Sequence, residues 1–320
     1  KNRDQYIYKL NKYYNDLNYL GKIFILDSSD KLISEKIITH LKLNNPNKNI
    51  FYHHSIGLPG MVMKDHISLV ETKYVVETGD DDYLALNGVK KVINFLDNNL
   101  DYAGAHGKGK LILSRKTNTQ IDDIVDYQQC IRNEKTSLER AILLLKNYQV
   151  PNFAVYRTNV FKKILKGIPS QNDLFLCPDR KFADELVQAT LSVVYTKLKS
   201  LDCFYIGRHI TSVRKDIRNI IDKESKEATI ISKKYLINLL TELISNEDKI
   251  SKDKVRSKIS QAIQYYLETE YRNKNFIFLK KIIGSINNFI NKSKNKNKIN
   301  LLEKDPFYEE IGFIKNTILN

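Results

Sequence analysis

Apolar positions first recur at helical spacing over residues 4–20, where Ile7, Leu10, Tyr14 and Leu17 share a face. Gly21 predicts the end of that helix, and Lys22-Ile-Phe-Ile-Leu26 reads as a buried strand closed by Asp27-Ser28-Ser29-Asp30. Leu32, Ile33, Ile37, Ile38 and Leu41 mark a second helix. A loop at Asn44-Asn-Pro-Asn47 leads to a strand at Ile50-Phe51-Tyr52-His53, and Gly57-Leu-Pro-Gly60 is a turn. A short helix then precedes a strand at Tyr74-Val-Val76. Val89, Val92, Ile93, Leu96 and Leu100 form the next helical face. Such alternation of strand and helix predicts an α/β fold with a largely parallel sheet, in which ligands bind beyond the carboxyl ends of strands.

The middle of the chain is less periodic. Strands are expected at 101–106, 111–113, 153–156 and 203–206, and helices around Leu138–Leu145, 158–165 and 182–198. From about residue 215 only helical patterns remain, with no internal repeat. The organisation expected is a catalytic α/β domain over 1–212 and a basic helical extension over 213–320.

Composition narrows the class. At 320 residues with 42% hydrophobic residues, 19 Tyr and 13 Phe, the chain can build a substantial core, so wholesale disorder is excluded. The three cysteines are far apart with no CxxC pair, which argues against a structural zinc site or a disulfide framework and fits a reducing compartment. No run approaches the roughly 20 apolar residues that span a bilayer, and no signal peptide is visible. The expectation is therefore a cytoplasmic protein. Net charge is +15, from 52 Lys and Arg against 37 Asp and Glu, which favours anionic partners. Much of the excess follows residue 210, notably in Lys280-Lys281 and Lys292-Ser-Lys-Asn-Lys-Asn-Lys298.

The candidate chemistry is carried by carboxylates. Val75-Val76-Glu77-Thr78-Gly79-Asp80-Asp81-Asp82-Tyr83 places three adjacent Asp side chains where a β-branched run stops. Adjacent carboxylates repel, and a hard divalent cation shared with a substrate diphosphate would hold them together. A solvated acidic turn or helix N-cap is the other reading. Asp27 closes an earlier strand, where it would accept from a base N–H or a ribose hydroxyl, or form an ordinary Asx turn. Asp184 and Glu185 stand at a helix start, as a general base or as charges complementing the helix dipole. His53-His54 lack a partner at metal-ligand spacing and read as structural. Gly107-Lys-Gly109 is too short for a phosphate loop, although a donor-site loop remains open for it.

Taken in order, these pieces resemble a GT-A type nucleotide-sugar glycosyltransferase, closest to the inverting, family-2-like enzymes of bacterial surface-polysaccharide assembly. The residues that carry the resemblance span roughly 1–210. They are Asn2-Arg3 before a Tyr-rich helix ending Tyr13-Tyr14, Phe24-Ile-Leu-Asp-Ser-Ser29, Thr78-Gly-Asp-Asp-Asp-Tyr83, Phe182-Ala-Asp-Glu-Leu186 and Tyr205-Ile-Gly-Arg-His209. The resemblance implies a GT-A, Rossmann-like mixed and mostly parallel sheet flanked by helices, with a C-terminal helical extension. It also implies that the first strand of the nucleotide-binding sheet is missing from this sequence, since Lys1-Asn-Arg3 falls at the loop that would follow it.

Further implications concern the site. Asp27, Ser28, Asp80, Asp81 and Arg208 would bind the nucleotide sugar, and Asp80 and Asp82 with His209 would hold Mn²⁺ or Mg²⁺. The triple Asp leaves the register open by one, so Asp81 stays a candidate ligand. Asp184, with Glu185 as the alternative, would deprotonate the acceptor hydroxyl in a single inverting displacement, and the metal would neutralise charge on the departing diphosphate.

The acceptor implied is a glycan or a lipid-linked one. Leu279, Ile282, Ile283, Ile286 and Ile290, flanked by Lys280, Lys281, Lys292, Lys294, Lys296 and Lys298, suit an anionic membrane surface at its inner face or a helix packed on the catalytic domain. Two other classes remain open. A basic nucleic-acid-binding protein fits the charge but not the Asp cluster, and no nucleic-acid motif is present, so nucleic acid is not an expected partner. A metal-dependent nucleotidyltransferase shares the carboxylates but lacks a Walker-type loop.

Overall fold

Helix α1 (Asp4–Asp16) turns its Ile7, Leu10, Tyr13 and Tyr14 inward, and strands β1 (Ile23–Asp27) and β2 (Ile50–His54) pair in parallel around α2 (Lys31–Asn44). Ile7, Ile37 and Leu41 pack against Ile25, Ile33, Ile50 and Tyr52 of these elements. The structure, a computed structural model, describes residues 1–114, 121–211, 225–287 and 305–319, apart from the side chains of 122, 211 and 270–287.

A second sheet holds six strands in the order β3-β7-β5-β8-β4, with β6 added beside β5. These strands are β3 (Tyr74–Val75), β4 (Asp82–Leu84), β5 (Tyr102–Ser114), β6 (Ile121–Tyr127), β7 (Val155–Arg157) and β8 (Lys197–Thr211). The parallel β5–β8 ladder is the longest, running from Tyr102 opposite Lys197 to Ser114 opposite Thr211, with register shifts along it. The other pairings in this sheet are antiparallel. The sheet is thus mixed, and strand–helix alternation did not predict the antiparallel arms.

Two expected strands at 101–106 and 111–113 are one continuous strand, β5. Gly107 and Gly109 lie inside it, so Gly107-Lys-Gly109 is not a loop at a ligand site. A Cβ on Gly107 would sit 2.4 Å from the Cys203 carbonyl oxygen, so glycine is needed for β5 and β8 to approach.

Helix α4 (Leu86–Asn98) covers one face through Val92 and Leu96, which meet Leu84, Ala105, Val155, Tyr205 and Ile206. The largest core gathers α3 (Pro59–His66), α5 (Ser137–Lys146), α6 (Thr158–Lys166) and α7 (Val187–Tyr195) with the long helices α8 (Lys226–Asp248) and α9 (Lys252–Asn287). Leu236, Leu240, Ile244, Val255, Ile259 and Ile263 are buried in that core. Helix α10 (Tyr308–Leu319) packs Ile311, Ile314 and Ile318 against Leu10, Tyr13, Tyr83 and Phe204. A division at 212/213 therefore does not separate two cores, because the later helices complete those of the earlier residues.

The basic face expected around Leu279, Ile282, Ile283, Ile286 and Ile290 lies outside the described side chains, and the lysines from Lys292 to Lys298 lie outside the described residues. Among the described residues no helix is long and apolar enough to cross a membrane.

Candidate active site

The carboxylate triplet lies in the connection from β3 to β4. Asp80 and Asp81 form the turn, and Asp82 is already the first residue of β4, facing Arg208 across the antiparallel pair. The turn closes on itself, since the Asp82 N–H donates to the Gly79 carbonyl at 3.2 Å and Gly79 N–H reaches Asp82 Oδ2 at 3.3 Å. A Cβ on Gly79 would lie 2.9 Å from Asp81 Oδ1 and 3.0 Å from Asp82 Oδ2, which explains the glycine before the triplet. Asp81 and Asp82 are each only 1% exposed. Burying adjacent carboxylates requires compensating charge.

Two arginines supply it. Arg3 bridges Asp80 Oδ1 at 3.0 Å and Asp81 Oδ2 at 2.8 Å, with its guanidinium over the Tyr6 ring. Arg208 Nε donates to Asp82 Oδ1 at 3.1 Å, and its guanidinium packs over Phe153 and Tyr127, 4.1 and 4.9 Å from the ring centroids. Burial pushes the Asp80 carboxyl up to about 6, Arg3 opposes that shift, and the neighbouring Asp81 and Asp82 charges reinforce it.

Asp184 and Glu185 stand in a π-helical turn, Phe182–Leu186, where the sequence predicted an ordinary helix start. Asp179, the N-terminal anchor of that turn, accepts from the Lys181 and Phe182 amides and from Thr229 Oγ1 of α8. Asp184 Oδ1 accepts from Gly60 N–H at 2.8 Å; burial raises its pKa, the Gly60 bond lowers it and Glu185 raises it again. Glu185 Oε1 accepts from the Tyr148 hydroxyl at 2.7 Å.

Tyr127 lies against Arg208. Burial pushes its hydroxyl up, Arg208 pulls it down, and both Asp82 and Glu185 push it up. Asp82, Arg208 and Tyr127 are thus neighbours in space, Arg208 pairing with Asp82 and packing over the Tyr127 ring.

The other expected site residues are placed as follows. Asp27 is buried with both oxygens engaged: Oδ1 accepts from Ser29 N–H and Oγ–H, and Oδ2 from the Tyr52 hydroxyl. That is an Asx-type turn. Ser28 is half-buried beside it. His54 bonds the Ser29 carbonyl and His53 packs against Phe24 and His66, in keeping with structural roles. Asn2 donates its N–H to Ser29 Oγ and accepts from Asp30 N–H, while the next residue, Arg3, holds Asp80 and Asp81. These two residues tie the loop after β1 to the turn that precedes β4.

His209 lies beside the triplet through its backbone, N–H to the Asp81 carbonyl at 3.0 Å, but its ring Nε2 pairs with Ser114 Oγ at 2.7 Å. Among the described residues no three His, Cys, Asp or Glu side chains converge as a metal-ligand group. With Arg3 between Asp80 and Asp81, and Arg208 on Asp82, the expected set of Asp80, Asp82 and His209 does not fit a divalent ion as arranged. Tyr127 and Tyr148 were not picked out by sequence, and Arg3 and Glu77 were named only within motifs, without a site role.

No family model matches this chain, and no curated protein matches its sequence. Solved structures that resemble it include S. aureus TarS 1-349 in complex with UDP-GlcNAc, at TM-score 0.43 and 14% identity over 85% of this chain and 90% of that one. TarS 1-349 in another structure gives TM-score 0.41 and 16% identity over 85% and 89%. HddC from Yersinia pseudotuberculosis complexed with GMP-PN gives TM-score 0.29 and 16% identity over 64% and 76%. Scores and identities this low assign no family.

Proposed function

We propose that this chain is a glycosyltransferase that moves a sugar from a nucleoside-diphosphate sugar to a hydroxyl acceptor by single in-line displacement, in polysaccharide or glycolipid synthesis. The observation that supports the reading is the buried Asp81 and Asp82 of the turn after β3, with Arg208 paired to Asp82 and packed over Tyr127 and Phe153, beyond a strand end of the kind where α/β sheets bind ligands. A guanidinium retains further N–H donors when one of its groups is paired, so Arg208 is suited to meet a diphosphate bidentately. Glu185 or Asp184 takes the proton of the acceptor hydroxyl as that oxygen attacks the anomeric carbon and the diphosphate departs. Both carboxylates are engaged, Asp184 by the fixed backbone N–H of Gly60 and Glu185 by the rotatable Tyr148 hydroxyl, so Glu185 is the base proposed and Asp184 the alternative.

The divalent cation enters the proposal as a competitor of Arg3 for Asp80 and Asp81, and no step is assigned to it. The acceptor is proposed to be a glycan or a lipid-linked hydroxyl, with the basic C-terminal residues meeting an anionic membrane surface.

The reading is tested by incubating the protein with a panel of UDP- and GDP-sugars and measuring nucleoside diphosphate release. At least one sugar nucleotide should turn over, and Glu185→Gln should reduce that rate by about 100-fold or more, the usual contribution of a general base. Absence of both binding and turnover across the panel overturns the proposal.

A further inference from the structure

One side chain outside the π-turn fixes where the Glu185 carboxylate stands. The Tyr148 hydroxyl donates to Glu185 Oε1 at 2.7 Å, a length typical of a charge-assisted O–H bond to a carboxylate. Among the described residues this is the one hydrogen bond that the carboxylate makes. Tyr148 is itself held from two directions. It follows the end of α5, where the buried Arg132 donates through Nη2 to the carbonyls of Leu143 and Asn147, at 2.9 Å to each. Carbonyls at a helix end run short of intrahelical donors, so the guanidinium fixes the backbone that presents Tyr148. On its other side the Tyr148 ring meets Tyr266 of α9 edge-on, with centroids 5.3 Å apart and planes at 61°. Tyr266 is buried, and the Lys181 ammonium lies 5.5 Å from the centroid of the same ring, immediately before the π-turn that carries Glu185.

We propose that Tyr148 is a positioning residue for the transfer reaction: its hydroxyl fixes Glu185 Oε1 so that Oε2 faces the acceptor hydroxyl, with Tyr266 of α9 as its backing. The acceptor proton then passes to Oε2 as the acceptor oxygen bonds the anomeric carbon and the bond to the diphosphate breaks. The Tyr148 proton stays on its own oxygen throughout. Burial pushes the Tyr148 hydroxyl well above its ordinary pKa, and the Glu185 charge and Tyr266 add to that shift, so it remains a donor. A neutral donor suits this role. A cation in its place would pair with the carboxylate and oppose its taking up a proton, whereas a hydroxyl orients one oxygen at a smaller cost in basicity.

The inference rests on the glycosyltransfer reading with Glu185 as its base; the hydrogen bond does not, and the experiment separates the two. Tyr148→Phe keeps the ring against Tyr266 and removes only the hydroxyl. Infrared difference spectra of native protein minus Glu185→Gln isolate the Glu185 carboxylate, and its stretching bands should shift when the same difference is taken in the Tyr148→Phe background. Unshifted bands overturn the bond, and the proposal with it. In transfer assays Tyr148→Phe should lose roughly 10- to 100-fold in kcat with the sugar-nucleotide KM within about threefold, as expected for a misplaced base. Native kcat, or a loss confined to KM, overturns the positioning role. Adding Tyr148→Phe to Glu185→Gln should cost less than about threefold further, because a residue acting through Glu185 then has nothing left to position. A further loss as large as that in the native background overturns it as well. If native protein turns over no sugar nucleotide, or Glu185→Gln keeps native turnover, the transferase reading or its base fails, while the infrared bands still decide whether Tyr148 holds Glu185.

Discussion

Asp80, Asp81 and Asp82 illustrate how little a residue's neighbours in sequence say about its partners. The cluster was legible as a candidate site because three adjacent carboxylates are hard to bury, and burial is what the structure shows for Asp81 and Asp82. Its counter-charges were not legible: Arg208 lies 126 residues from Asp82, and Arg3 reaches the turn from the other end of the domain. The Arg3 contact makes a direct prediction. A guanidinium favours the ionised form of its partner, so Arg3→Ala should raise the Asp80 pKa further than burial already does. Carboxyl-carbon NMR titration reads that shift, and an unchanged midpoint contradicts the pairing. The same variant frees carboxylate oxygens, so Mn²⁺ should bind Arg3→Ala more tightly than native protein in calorimetric titration.

At the scale of elements, periodicity was a good guide wherever one face of a helix is buried. Helices α2, α4, α5 and α6 fall where apolar spacing predicted them. Strands were harder, because β4 is three residues long and its pairing with β8 depends on contacts distant in sequence. The π-turn was hidden for a related reason: Phe182-Ala-Asp-Glu-Leu186 has an ordinary helical pattern, and the wider turn is accompanied by the anchors Asp179 and Gly60. Glycine placement tests the packing of these elements. Gly88, near the start of α4, would bring a Cβ to 1.9 Å from the Phe204 carbonyl oxygen on β8, a backbone atom that cannot rotate away. Gly88→Ala should therefore destabilise the protein by at least the about 1–3 kcal/mol typical of overpacking, despite the better helix propensity of Ala. Chemical denaturation checks this, and a variant as stable as native protein contradicts the close approach of α4 to β8.

For the whole molecule, the expected α/β character holds, and the helices after residue 212 share the cores of the earlier residues. Helices α8 and α9 bury Leu240, Ile244, Val255 and Ile259 in the largest core, and Thr229 and Ser232 of α8 bond Asp179 at the start of the π-turn. Helix α10 lies under α1 and β4, so residues from both ends of the chain support the strand that begins with Asp82. Sequence patterns identified α8 and α9 as helices but could not say what they cover, since a buried apolar face looks the same whichever partner receives it.

The assembled site is proposed to receive a nucleoside-diphosphate sugar. Calorimetric titration of native protein with UDP- and GDP-sugars tests it most directly, with Arg208→Lys as the comparison because it keeps the charge and loses the planar fork. Binding of at least one sugar nucleotide should be saturable and weakened about tenfold or more in Arg208→Lys, equivalent to roughly 1.4 kcal/mol. No binding by native protein, or equal binding by Arg208→Lys, would contradict it.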